Sequence, residues 1–283
     1  MTIAISIKVS DGIVLAADSA GTIITRDQTG NTKDVVNIYN SANKVFNLLK
    51  GLPVGAATWG DGAIGLYSIS TLIKDFRKLL KNSESDLWVD PSCYTISDIC
   101  LKFKKFLDEE LSKPSRSPSE QCTGFYISGY SSGERFAETW IVEINKGQCG
   151  NPIEIVPKDL QSSINWAGQP EAISRLMMGY SMSLLKCLQN EGIGKDTISK
   201  IIEICQNKLG SYLALSSMPI QDTIDLAEFL VNTTIGYVRF SPGSNTVGGP
   251  IDIAAITKHE GFKWVRRKHY YDSLFNPKGG EFV

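Results

Sequence analysis

The sequence predicts an α+β protein folded as a four-layer αββα sandwich. The first of three observations is order: four strands, two helices, three or four strands, about three helices and two last strands. Blocks of one type, each with one apolar face, stack as two sheets between outer helix layers. The second is the N-terminus, where Ile3, Ile5, Ile7 and Val9 alternate with Ala4, Ser6 and Lys8, the period of a half-buried strand. The third is Asp11-Gly12, which tolerates the positive φ of a tight hairpin turn. It sends the chain back through the apolar run Ile13 to Ala17, as expected of a strand covered on both faces.

The remaining elements follow in order. Residues 21–42 are polar and rich in Thr, Asn and Asp, which reads as a long loop, in part extended. A strand pair is expected at 44–49 and 54–58, turning at Lys50-Gly51-Leu52-Pro53. Gly60-Asp61-Gly62 leads into a helix of about twenty residues, with Ile64, Tyr67, Ile69, Leu72, Ile73, Phe76, Leu79 and Leu80 at helical spacing. A second helix is expected over 95–112, then a Pro/Ser-rich surface loop over 112–120. Strands follow at 123–130, 136–145 and near 153–157, and helices at about 169–190, 195–209 and 219–237. Strands at 251–257 and 262–266 close the chain. With no internal repeat and no linker, residues 1–283 are expected to form a single domain, with 269–283 as a tail.

Composition excludes several functions. The chain has 283 residues, 42% hydrophobic and 21% charged, with a formal net charge of −1, so no global field draws it to nucleic acid or to an anionic membrane. The N-terminus lacks the basic start and apolar block of a signal peptide, and no window approaches the ~18 apolar residues of a membrane span. A cytoplasmic protein is expected. Six scattered cysteines form no C-x-x-C pair, and there are two histidines. Free thiols, no metal and no cofactor are the expectation. A Ser-His-Asp or Cys-His mechanism would need His259, in a Lys-His-Glu-Gly turn, or His269, in a basic aromatic tail. The base of an enzyme is therefore sought elsewhere.

Several segments then become specific in combination. The start, Met1-Thr2-Ile3-Ala4-Ile5-Ser6-Ile7-Lys8, turns at Gly12 and returns through Ala16-Ala17-Asp18-Ser19 to Thr22. Asn43-Lys44-Val45-Phe46 and Gly55-Ala56-Ala57-Thr58-Trp59-Gly60-Asp61 follow, and Gly248-Gly249-Pro250-Ile251-Asp252 comes late. In this order they resemble a proteasome β-type subunit, or a bacterial proteasome-like protein, within the N-terminal-nucleophile (Ntn) hydrolases.

The resemblance implies a threonine peptidase in which Thr2 is the nucleophile, with its own α-amine as base. Lys44 would be the cation that favours the neutral amine, and Asp18 the anchor of Lys44. The Gly60 N–H would stabilise the oxyanion, a donor worth roughly 3–4 kcal/mol. Thr22, Gly21 and Thr58 would bind substrate, a peptide or unfolded protein docking as an added strand. Gln169 stands where the family has the Ser that orders the amine, and Asn245 lies where an Asp precedes the glycines; these two would hold the amine through neutral hydrogen bonds. Ala20 replaces the family's Arg, and the segment between Asp18 and Lys44 is longer than the family pattern. Met1 precedes a small residue, so ordinary removal of the initiator methionine would free Thr2. A ring-type homo-oligomer is implied, and an ATP-dependent unfoldase partner is left open. So are two other readings: a non-catalytic structural or regulatory subunit, and an Ntn amidase acting on a small-molecule amide.

Overall fold

The computed structural model describes residues 2–26, 32–113 and 122–268. The expectations for Met1, for most of 112–120 and for the tail 269–283 fall outside the described residues.

The first strands are β1 (Ile3–Val9), β2 (Gly12–Ala17), β3 (Gly21–Arg26), β4 (Thr32–Tyr39), β5 (Val45–Asn47), β6 (Val54–Gly60), β7 (Ala63–Ile64) and β8 (Tyr67–Ser68). Helices α1 (Ile69–Lys81) and α2 (Ile96–Leu111) follow, then β9 (Cys122–Gly129), β10 (Glu138–Asn145), β11 (Gln148–Cys149), β12 (Ile153–Val156) and β13 (Ser163–Gly168). Helices α3 (Glu171–Met178), α4 (Leu184–Asn190), α5 (Lys195–Ile204) and α6 (Ile220–Phe240) precede β14 (Asp252–Thr257) and β15 (Gly261–Arg266).

Two antiparallel sheets form the centre. One runs β13-β1-β2-β14-β15; the other runs β11-β10-β9-β6-β5, with β12 on β10. The period-2 pattern of β1 decides how they stack. Ile3, Ile5 and Ile7 pack with Ile173 of α3 and with Ala227, Leu230 and Val231 of α6. Ala4, on the opposite face, packs with Val45, Ala57 and Tyr126 of the second sheet. That sheet's outer face meets Phe76 of α1 and Phe103 and Phe106 of α2. The layers are therefore α, β, β, α, as the sequence predicts.

Four expectations are corrected. Residues 21–42 hold the antiparallel pair β3–β4, in register from Gly21↔Tyr39; β-branched Thr22, Ile23, Ile24, Val35 and Val36 favour extension, which the polar neighbours mask. The first helix is shorter, because Gly65 at φ +57° turns a small β7–β8 hairpin. The helix begins only where the Ser68 hydroxyl caps the Thr71 N–H. The expected 169–190 helix is two, α3 ending on left-handed Gly179, and 195–209 ends in a π-helical turn, Cys205–Leu209. Strand β13 has no counterpart among the predicted elements; it pairs with β1 along six positions from Ile3↔Gly168 to Lys8↔Ser163.

Lys8 is buried to 1% exposure, and its ammonium donates to the carbonyls of Pro157 at 2.8 Å and Lys158 at 3.1 Å. Burial pushes its pKa from 10.5 down to about 8, against the opposing pull of Asp159, Glu138 and Glu154. Between these values the unfolded chain binds more protons than the folded one, so stability rises with pH through that window and falls as pH drops through about 8. Urea unfolding of Lys8→Met is expected to show a flatter rise over the same window than wild type. An unchanged slope would mean that Lys8 does not titrate with folding.

Candidate active site

Thr2 immediately precedes β1 and is 3% exposed. The β1–β2 hairpin that the Asp11-Gly12 turn creates brings Asp18, at the end of β2, back beside it. The Asp18 carboxylate is fully buried and accepts four hydrogen bonds. Oδ1 takes the Lys44 ammonium at 2.7 Å and the Ile3 N–H at 3.0 Å. Oδ2 takes the Ala20 and Gly248 N–H groups, each at 3.0 Å. This one side chain therefore joins the strand that carries Thr2, the segment after β2, the loop before β14 and Lys44. Such charge-assisted bonds are short and strong.

Lys44 stands just before β5, and its carbonyl accepts the Thr58 N–H of β6 at 2.9 Å. Its side chain is 7% exposed. Burial pushes the Lys44 pKa down, and the Asp18 carboxylate opposes that loss of charge. A desolvated cation held by one carboxylate disfavours positive charge on any basic group placed close to it.

Two glycines permit close backbone approach. Gly168 ends β13 at φ +100°, and a Cβ there would lie 2.0 Å from the Thr2 carbonyl oxygen. Gly60 has φ +91°, and its Cβ would lie 2.3 Å from the Cys122 carbonyl oxygen. Neither position admits a side chain without moving backbone. Gly168 has no place among the sequence candidates; the available signal was its position in Ala167-Gly168-Gln169-Pro170.

A cavity of about 690 Å³ opens at Thr2. Its lining brings together Thr2, Lys44, Gly60, Gly21, Thr22 and Thr58, while Asp18 stands behind Lys44. Apolar walls come from Ile24 and Val35 of the β3–β4 pair, from Trp59, and from Ile69 at the start of α1. The Thr58 hydroxyl donates to the Gly124 carbonyl at 3.0 Å, so its hydrogen is engaged within the protein. Gln169 and Asn245 are not part of the lining. Asn245 is exposed, and its neighbour Thr246, 3% exposed, reaches the cavity instead.

No protein-family model matches the chain, and no curated protein matches it. Solved structures do match. The Anbu complex of Pseudomonas aeruginosa, described as a helical assembly, aligns over 97% of this chain and 89% of its own, with a TM-score of 0.53 and 14% identity. An Anbu mutant from Hyphomicrobium sp. strain MC1 aligns over 98% and 91%, with a TM-score of 0.55 and 17% identity. The chain has the proteasome-like Ntn-hydrolase fold. The resemblance to a proteasome β-type subunit drawn from the motifs is corrected by these findings. The structural neighbours are Anbu proteins, and at such identities the likeness is one of fold. Among the described residues no helix is long and apolar enough to cross a membrane.

Proposed function

We propose that the protein is a threonine-type Ntn hydrolase that cleaves peptide bonds. The observation that carries this reading is the buried Asp18 carboxylate, which binds the Lys44 ammonium at 2.7 Å and the Ile3 N–H at 3.0 Å, behind a cavity that Thr2 and Lys44 both line. Removal of Met1 leaves Thr2 with a free α-amine, a base with an ordinary pKa near 8. The Lys44 charge favours its neutral form.

The amine takes the hydroxyl proton as the Thr2 Oγ attacks the scissile carbonyl carbon. The Gly60 N–H stabilises the resulting oxyanion. Collapse breaks the C–N bond, the amine proton passes to the leaving nitrogen, and a Thr2 ester remains. Water, deprotonated by the same amine, then hydrolyses that ester and restores Thr2. Thr22 and Gly21 guide an extended peptide along the cavity. Ile24, Val35, Trp59 and Ile69 favour an apolar side chain beside the scissile bond. The Anbu assembly supports a self-associating homo-oligomer.

A fluorogenic peptide panel tests this reading. Apolar residues before the cleaved bond are expected to be turned over about tenfold faster than acidic ones, the scale of hydrophobic-pocket discrimination. Hydrolysis of small amides but of no peptide would replace the peptidase by an amidase. Turnover of neither would replace it by a non-catalytic subunit, a reading that the exposure of Asn245 would then favour.

A further inference from the structure

A second buried ion pair lies behind the first. Lys268, two residues past the end of β15, is 8% exposed at its side chain, and Asp252, at the start of β14, is 2% exposed. The Lys268 ammonium bonds Asp252 Oδ2 and donates to the Ser19 hydroxyl at 2.7 Å. Its backbone N–H donates to Asp252 Oδ1 at 3.1 Å, so main chain and side chain of one residue grip the same carboxylate. Ser19 directly follows Asp18. Its hydroxyl donates to the Pro250 carbonyl at 2.5 Å, and its N–H to the Gly248 carbonyl at 2.9 Å. Gly248 in turn donates its N–H to Asp18, and Asp252 sits opposite Ala17 in the β2–β14 register. An unbroken set of short contacts thus runs from Lys268 to the Asp18–Lys44 pair.

We propose that Lys268 is a positioning residue for that pair: it fixes Ser19 and the Gly248–Pro250 turn against Asp18, and with Asp252 it sets the charge balance around Lys44 and the amine of Thr2. The proposal rests on the reading of Thr2 as nucleophile. The residue after Asp18-Ser19 is the uncharged Ala20, and the cation that reaches Ser19 comes from the far end of the described chain. Burial disfavours the charged form of Lys44; among the charges, Asp18 opposes that most strongly, Asp252 opposes it too, and Lys268 adds to it. Asp61 is the further charged group on the cavity wall. A buried pair of this kind balances only while both partners are present. Losing one leaves an uncompensated charge whose sign depends on which was lost.

The signs give the test. In Lys268→Met the Asp252 carboxylate is unbalanced and favours the protonated amine at Thr2; in Asp252→Asn the Lys268 ammonium is unbalanced and favours the neutral amine. Competitive acetylation across pH, read by mass spectrometry on the full-length protein lacking Met1, reports the titration midpoint of the Thr2 amine without requiring turnover. The midpoint is expected to rise by roughly 0.5 pH unit in Lys268→Met and to fall by a similar amount in Asp252→Asn. It should return toward wild type in the double variant, and Lys268→Arg should leave it in place. Lys268→Gln, which keeps a donor for Ser19, replaces Lys268→Met should circular dichroism show the latter unfolded. Unmoved midpoints, or shifts of one sign in both single variants, would overturn the proposal and reduce Lys268 to an anchor of the last strand. Opposed shifts in a protein that hydrolyses no peptide would sustain this proposal and sink the peptidase reading; a peptidase with unmoved midpoints would do the reverse.

Discussion

Thr2→Ala is expected to lower peptide hydrolysis by about 10⁴-fold or more, the scale seen when a nucleophile acting as part of a unit is removed. The substitution deletes the hydroxyl proposed to form the ester and keeps the α-amine, the Asp18–Lys44 pair and the Gly60 N–H. The backbone around Thr2 is held independently of its side chain. Asp18 takes the Ile3 N–H, and β1 is paired on both sides, with β13 and β2. Folding should therefore survive, and kcat should collapse with the urea midpoint displaced little. Thr2→Ser keeps a hydroxyl and is expected to retain measurable turnover. Equal activity in Thr2→Ala and wild type would remove Thr2 from the chemistry.

Asp18→Ala is expected to affect both stability and activity. The side chain is fully buried and accepts four hydrogen bonds. Its removal strands the Lys44 ammonium, 7% exposed, and leaves the N–H groups of Ile3, Ala20 and Gly248 without their carboxylate. Breaking a buried pair by removing one partner costs about 3–5 kcal/mol, and we expect a destabilisation of that size by urea unfolding. Lys44→Met should be milder in stability, because the Asp18 carboxylate keeps three backbone donors, yet comparably damaging to turnover. An Asp18→Ala protein as stable as wild type would show that the carboxylate is not the junction its geometry describes.

Legibility from sequence followed contact range. The β1–β2 hairpin was readable because alternation, an Asp-Gly turn and an apolar return strand are local signals. With it came the approach of Asp18 to Thr2, and β5–β6 brought Lys44 with them. Strand β13 was not readable: Ile164 and Trp166 pack toward the α3–α6 side, but two inward positions beside serines and an asparagine are too short a pattern. The β3–β4 pair was hidden in the same way by its polar surroundings. Asn245 was chosen by its position before Gly248-Gly249, and a shift of one residue puts Thr246 on the cavity and Asn245 in solvent. The contact between Lys268 and Ser19 spans 249 positions. No periodicity or motif reports such a contact; it arises because β15 and β14 close the sheet beside β2.

Thr2, freed of Met1, is proposed as the reacting group. Intact mass and peptide mapping after exposure to a β-lactone probe test it most directly. The expected product is a protein lacking Met1 that carries one probe adduct, located at Thr2 and absent in Thr2→Ala. A retained Met1, an adduct at another residue, or labelling that persists in Thr2→Ala would contradict it.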